Sequence, residues 1–261
     1  MTPRPSTPPR EDDLSHRLIR HGRVDSTNEQ ALQAVAEGTA RHGDVHLATE
    51  QMAGRGRLGR QWASPAGGGL YASLILLPEP PAPLPETLTV ATGLAVAEAL
   101  ESLGVGGIRL RWPNDVLVRG AKIAGILVET RGLDPQAPHF VIGMGINVGQ
   151  RDFPAEILRG RAVTSLGLLG IESDPDTVLD AVLGALGPRL EQAVAGDPAM
   201  AREFLDAAGL TDAPVRVHHG SESSTGILRA MDWKDGLSLE GPRGERLSVP
   251  LPFVRSVKTL S

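Results

Sequence analysis

The run Gly54-Arg-Gly-Arg-Leu-Gly-Arg-Gln-Trp-Ala-Ser-Pro65, followed by Ala66 and the glycines 67–69, sets the tightest limit on what this chain can fold into. Its first six residues spell Gly-x-Gly-x-x-Gly. In a dinucleotide-binding fold that pattern turns a strand into a helix and seats a pyrophosphate on the helix N-terminus. No helix can follow here. Pro65 lacks an amide hydrogen and three consecutive glycines oppose helix formation, so the motif is an irregular connection between two strands. The acid expected at the end of the next strand is missing as well, because Glu79 lies in a proline run. A Gly-x-x-x-x-Gly-Lys-Ser/Thr loop is also absent.

What remains is a glycine-rich loop carrying Arg55, Arg57 and Arg60. Glycines let backbone amides approach an anion, and guanidinium forks clamp phosphate or carboxylate oxygens. Such a loop holds like charges and buries little, so it is expected to be mobile until an anion neutralises it. The 261-residue chain carries a net charge of −5, which sets this local positive charge apart. That contrast points to a small anionic ligand in preference to a long polyanion. The chain has no cysteine, which excludes disulfides, thiol nucleophiles and Cys-ligated metals and fits a reducing cytoplasm. No apolar run approaches the roughly 18 residues of a membrane span. The seven histidines lack metal-ligand spacing and are read as surface residues, so no dedicated protein cluster for a metal is expected.

Residues 1–13 are Pro-rich and polar and read as a disordered leader. A short strand is expected within Leu14–Val24, then a helix opened by a Ser26/Glu29 capping box and closed near Gly38. Strands are expected over Asp44–Gln51 and Gly69–Pro78, with a helix over Glu86–Gly104. Three strand-like segments follow, broken at Pro113-Asn114-Asp115 and at Arg119-Gly120, and they end near Gly149. The texture is then helical until Ala213, where short β-rich pieces begin that suit a small barrel.

Lys122 opens an apolar strand and needs an anionic partner or a solvated cleft. Asn147 ends another such strand, whose glycines either leave space for a flat ligand or mark a bulge. Ser26, Thr27 and Asn28 cap a helix or present its start to an anion. Pro113-Asn114-Asp115 is good hairpin chemistry whatever else it does.

Taken in order, Asp25-Ser-Thr-Asn28, Glu50-Gln-Met-Ala-Gly-Arg-Gly-Arg-Leu-Gly-Arg-Gln-Trp62, Trp112-Pro-Asn-Asp115, Lys122-Ile-Ala-Gly-Ile-Leu-Val-Glu129 and Gly143-Met-Gly-Ile-Asn-Val148 resemble the biotin protein ligases (biotin–acetyl-CoA-carboxylase ligases). The resemblance spans Val24–Gly149. It implies an α+β fold: a catalytic domain over residues 14–212 with a central mixed β-sheet flanked by helices, and a small C-terminal SH3-like β-barrel over 213–261. It implies formation of biotinyl-5′-AMP from biotin and ATP with Mg²⁺, release of pyrophosphate, and transfer of biotin to one lysine of a carboxylase's biotin-acceptor domain.

The same resemblance implies Ser26, Thr27, Asn28 and Gln51 around biotin, with Arg55, Gly56, Arg57 and Lys122 closing on it. It implies Arg55, Arg57, Arg60, Trp62, Asn114, Lys122 and Asn147 about ATP and the adenylate. Lys122, Arg57 and Asp115 are then the catalytic set, Asp115 assisting the acceptor lysine. Arg111 stands where many members have lysine. Some members carry an N-terminal helix-turn-helix of about 60 residues; only about two dozen residues precede the Asp25 motif here, too few for such a domain. The expectation is a cytoplasmic ligase without DNA or membrane binding, monomeric or homodimeric. A lipoate ligase is the nearest alternative, though the Gly-Arg-Gly-Arg loop and Trp-Pro-Asn-Asp favour biotin. A non-catalytic anion- or nucleic-acid-binding module is another; net charge and the lack of interleaved aromatics count against it.

Overall fold

The computed structural model describes residues 16–132, 134, 136–154, 158 and 162–260; the leader expected over residues 1–13 lies outside them. Seven strands form one sheet: β1 (Arg17–Val24), β2 (Asp44–Gln51), β3 (Gly69–Leu76), β4 (Ile108–Arg111), β5 (Asp115–Val118), β6 (Ala121–Glu129) and β7 (Phe140–Asn147). Their order is β1-β2-β3-β7-β6-β5-β4. β1 and β2 run parallel and the other neighbours antiparallel, so the sheet is mixed.

Every residue of β3 is buried, because helices cover both faces of the sheet and leave this strand no polar side. Helix α1 (Thr27–Ala36) packs Ala31 and Leu32 against Ile75 and Val141 on one face. On the other, Leu74, Leu76 and Ile142 meet α2 (Pro85–Ser102), α3 (Pro175–Ala195) and α4 (Pro198–Ala208). Asp174 caps α3, its carboxylate accepting from the amides of Asp176 and Thr177 at 2.9 Å, and Gly196 ends it in the left-handed conformation (φ 64°). The capping box expected at α1 does not form. Ser26 occupies the N-cap, but its side chain makes no cap hydrogen bond, and Glu29 is drawn off to two arginines.

The C-terminal strands β8 (Pro214–His219), β9 (Glu222–Asp232), β10 (Gly236–Glu240), β11 (Arg246–Val249) and β12 (Val254–Thr259) form an antiparallel sheet ordered β11-β10-β9-β8-β12. Among the described residues no ladder joins β11 to β12, so the sheet stays open there. The Trp112 indole N–H donates to the Val254 carbonyl at 3.2 Å and the Trp233 indole to that of Asp197 at 2.8 Å, fastening this sheet to the helical layer and the larger sheet.

His46 departs from the expectation of surface histidines. It is only 5% exposed, and its Nδ1 lies 3.1 Å from Nε2 of His21 across β1 and β2. Among the described residues no helix is long and apolar enough to cross a membrane.

Candidate active site

The glycine–arginine loop folds back on itself as a narrow tongue. The Gln51 amide donates to the Ser64 carbonyl at 3.1 Å, the Trp62 amide to Gly54 at 2.9 Å and the Gly56 amide to Arg60 at 2.7 Å. The tip, Arg57–Gly59, is a single 3₁₀ turn, with Leu58 at φ 57° and 74% exposed. Between this tongue, the large sheet and the C-terminal sheet lies a cavity of about 810 Å³.

One end of the cavity is neutral and polar. Ser26, Thr27 and Asn28 are buried at the start of α1. Gln51 Oε1 accepts from the Thr27 amide at 2.8 Å and lies 3.2 Å from its hydroxyl, while Gln51 Nε2 donates to Ser64 at 2.7 Å. Ser73 of β3, wholly buried, stands 2.6 Å from Asn28 Oδ1 and 2.7 Å from Thr27 Oγ1. An amide oxygen only accepts, so the single Ser73 proton goes to Asn28 and the Thr27 hydroxyl donates to Ser73. Asn28 Nδ2 is thereby turned to the Glu129 carboxylate at 2.7 Å. Sequence reasoning missed Ser73. Its signal was present: a serine inside a continuous apolar strand must find partners.

The other end is cationic. One row of paired residues crosses the sheet from Tyr71 through Gly145, Gly125 and Asp115 to Arg111. A bulge between Val116 and Leu117 offsets β6 against β5. Lys122 Nζ forms an ion pair with Asp115 Oδ1, supplying the anionic partner its strand position demanded. Arg111 Nη2 binds the second oxygen, Asp115 Oδ2, at 2.7 Å. Burial acts to raise the Asp115 pKa, but Lys122 and Arg111 outweigh it and hold the carboxyl below the usual range. Asn114 fixes the turn from both sides, donating from Nδ2 to the Ile126 carbonyl at 2.7 Å while its own carbonyl accepts the Ile126 amide at 3.0 Å.

The flat object over the glycines is the chain's own Trp62. A Cβ on Gly145 would lie 2.5 Å from the indole Cε2, and one on Gly125 would lie 3.1 Å from Cζ3. Lys122 Nζ sits 5.1 Å from the indole centroid, a cation–π distance. Among the described residues the indole nitrogen, which is buried, has no hydrogen-bond partner.

Among the described residues the Arg57 guanidinium has no hydrogen-bonded or ion-paired partner, while its carbonyl accepts the Arg60 amide at 3.3 Å. Burial lowers its pKa, and Glu86 and Asp115 act on it only at longer range. Gly56 and Arg60 also line the cavity, and Arg55 borders it with its guanidinium paired to Glu29 and Glu129, each at 3.0 Å. Asn147 does not line it; its Nδ2 donates to the Thr164 carbonyl at 2.9 Å. Sequence reasoning also missed the C-terminal wall, to which β8 and β12 bring His218, Arg255 and Lys258, because that segment carries no motif.

Residues 21–147 match the biotin/lipoate A/B protein ligase family. The chain is 34% identical over 231 residues to the biotin–acetyl-CoA-carboxylase ligase of Paracoccus denitrificans, covering 86% of this chain and 95% of that one. It is 35% identical over 220 residues to the bifunctional ligase/repressor BirA of Escherichia coli, covering 83% of this chain and 67% of the relative. The structure superposes on the biotin protein ligase of Aquifex aeolicus in complex with biotin and ATP, with TM-score 0.77 and 30% identity over 93% of this chain and 99% of that one. This chain belongs to the biotin/lipoate A/B protein ligase family, among its biotin protein ligases.

Proposed function

We infer that this chain activates biotin with ATP and then transfers it to a lysine of a carboxylase's biotin-acceptor domain. The observation that carries the reading is the polarity of one cavity: a neutral hydrogen-bonding end suited to an uncharged ureido group, and a cationic end suited to a carboxylate and phosphates. In the first half-reaction a biotin carboxylate oxygen attacks the α-phosphorus, the bond to the β-phosphate oxygen breaks, and pyrophosphate leaves. Two anions must meet for this, so Lys122 and Arg57 offset their repulsion and stabilise charge on the phosphoryl oxygens. In the second, the neutral acceptor amine attacks the acyl carbon and AMP leaves. The amine's proton passes to Asp115, which is free to take it once Lys122 has turned to the adenylate.

Ser26, Thr27, Asn28 and Gln51 hold the biotin head group, with Ser73 behind them. Trp62, Arg60 and Asn114 border the nucleotide. Asn147 acts from behind the wall, through the segment around Thr164. Mg²⁺ enters with ATP, whose phosphate oxygens are its natural ligands. Among the described residues no group of three His, Cys, Asp or Glu converges to hold it. Residues 14–212 form the catalytic unit. Residues 213–261 form a second unit, read as an SH3-like barrel left open between its outer strands.

The test is pyrophosphate release on mixing the protein with MgATP and biotin, with lipoate in parallel, and mass spectrometry of the bound adenylate. Release with biotin alone is expected. Release with lipoate alone changes the substrate, and silence with both refutes the ligase reading.

A further inference from the structure

Arg55 and Arg57 lie two residues apart on the tongue, yet their surroundings differ. Arg55 Nη1 donates to Glu29 Oε2 at 3.0 Å, and Nη2 lies at ion-pair distance, 3.0 Å, from Glu129 Oε2 without hydrogen-bond geometry. Arg131 grips Glu29 from the other side with two hydrogen bonds of 2.7 and 2.5 Å, and Asn28 Nδ2 holds Glu129 at 2.7 Å. Two guanidinium groups and two carboxylates thus close a neutral cluster that joins the tongue, the start of α1 and the end of β6. Arg55 also bridges Gln61 through its backbone, so the cluster fixes the base of the tongue, and the Arg57–Gly59 tip lies beyond it. A second cavity of about 420 Å³ lies behind the tongue, lined by residues 53–61 with Leu127 and Glu129. Trp62 seats the C-terminal limb of the tongue on the sheet, and the ion cluster holds the N-terminal limb, which the second cavity leaves with little packing behind it.

We propose that Arg55 is a positioning residue, an anchor that fixes the tongue through Glu29 and Glu129, while Arg57 is the arginine that meets the ligand's anion. This rests on the adenylate-forming reading of the same cavity, and it separates two arginines that the motif treats alike. The opposite assignment predicts the opposite sign. If Arg55 met the adenylate directly, its two carboxylates would compete with the ligand, and removing their charge would tighten the grip.

The test is the double variant Glu29→Gln/Glu129→Gln, which keeps a hydrogen-bonding amide at each position. Trypsin nicking after Arg57 and Arg60 in the ligand-free protein is measured beside the rate at which preformed biotinyl-adenylate is lost. Anchoring predicts nicking about tenfold faster, the scale of two weakened ion pairs, and faster adenylate loss. It also predicts that Arg55→Met nicks equally fast and adds nothing in the triple variant. Unchanged nicking, or slower adenylate loss, overturns the proposal. If the wild-type protein forms no adenylate, the ligase reading fails, and the nicking rates still decide the anchor.

Discussion

Replacing Gly145 by alanine asks whether the cavity floor is cut to the shape of Trp62. A Cβ there would stand 2.5 Å from Cε2, 2.6 Å from Nε1 and 2.9 Å from Cζ2 of the indole. Carbon atoms in contact settle at about 3.5–4.0 Å. Gly145 is paired with Tyr71 of β3 on one side and Gly125 of β6 on the other, so the strand is held and the ring must rise by about 1 Å. Raising it also disturbs Lys122, whose ammonium lies over that ring. A displacement of about 1 Å at a reacting site costs on the order of 10²-fold in rate. Gly145→Ala is therefore expected to fold, with a destabilisation of about 1–3 kcal/mol from overpacking. It should lose about 30- to 100-fold in single-turnover adenylation, followed by rapid quench and mass spectrometry of biotinyl-AMP. Gly143→Ala serves as the contrast, since its Cβ would strike the Asn28 amide and should raise the KM for biotin instead. Adenylation within threefold of wild type in folded Gly145→Ala, on the ~10²-fold scale expected, would refute the reasoning.

Lys122→Ala should lower adenylation by roughly 10²-fold or more, the scale of one preorganised electrostatic group, and near-normal single turnovers would remove Lys122 from the mechanism. Arg57→Ala should speed escape of bound adenylate in a filter-retention assay; an unchanged escape rate would mean that the tongue is no clamp. Ser73→Ala leaves Asn28 Oδ1 without its buried donor, at a cost of about 1–3 kcal/mol. Calorimetry should therefore find biotin bound roughly 5- to 150-fold more weakly, and an unaltered affinity would dismiss Ser73 as a support. Burial holds the His46 pKa down to about 4, assisted by the charge of His21 and opposed by Asp44. Its folded pKa lies below the unfolded value, so its stabilisation is complete above about pH 6.5 and is lost as the pH falls towards 4. The loss amounts to about 3 kcal/mol. Urea titrations should therefore show a slope between those limits that His46→Gln flattens, and equal slopes in both proteins would disprove it.

The parts of the fold legible in the sequence were those whose signal is local. β2 ran to the expected residues, Asp44–Gln51, because its alternation and the loop that follows it mark it. The turn at Arg119 and Gly120 also fell where expected, both residues taking positive φ values of 49° and 82°. Pro65 and the glycines after it kept the segment beyond the tongue free of helix, as their chemistry required. What failed to show was set by partners distant in the chain. Glu29 has the spacing of a capping residue, but Arg55 and Arg131, which arrive from elsewhere, outbid the backbone amide. His46 looked like a surface histidine until β1 was laid beside β2. Ser73, Arg255 and Lys258 belong to no motif, and only the sheet register and the docking of the second sheet bring them near the cavity. At the site, the cationic and polar ends were recoverable because each rests on a short run. The pairing of Lys122 with Asp115 across a bulge was not, since one shifted register would have sent it elsewhere.

The unpartnered indole of Trp62 has a practical consequence. The chain contains three tryptophans, and those at 112 and 233 give their N–H groups to backbone carbonyls, so their surroundings are fixed by the fold. Trp112 also lines the cavity, but among the described residues the ring at 62 alone of the three has a buried indole nitrogen with no hydrogen-bond partner. Ultraviolet emission from this protein then sums two rings at the cavity and one away from it, and Trp62→Phe isolates the share of the ring on the glycine floor. Ligand entry can be timed in the unlabelled enzyme by an intrinsic dye already seated where the chemistry occurs.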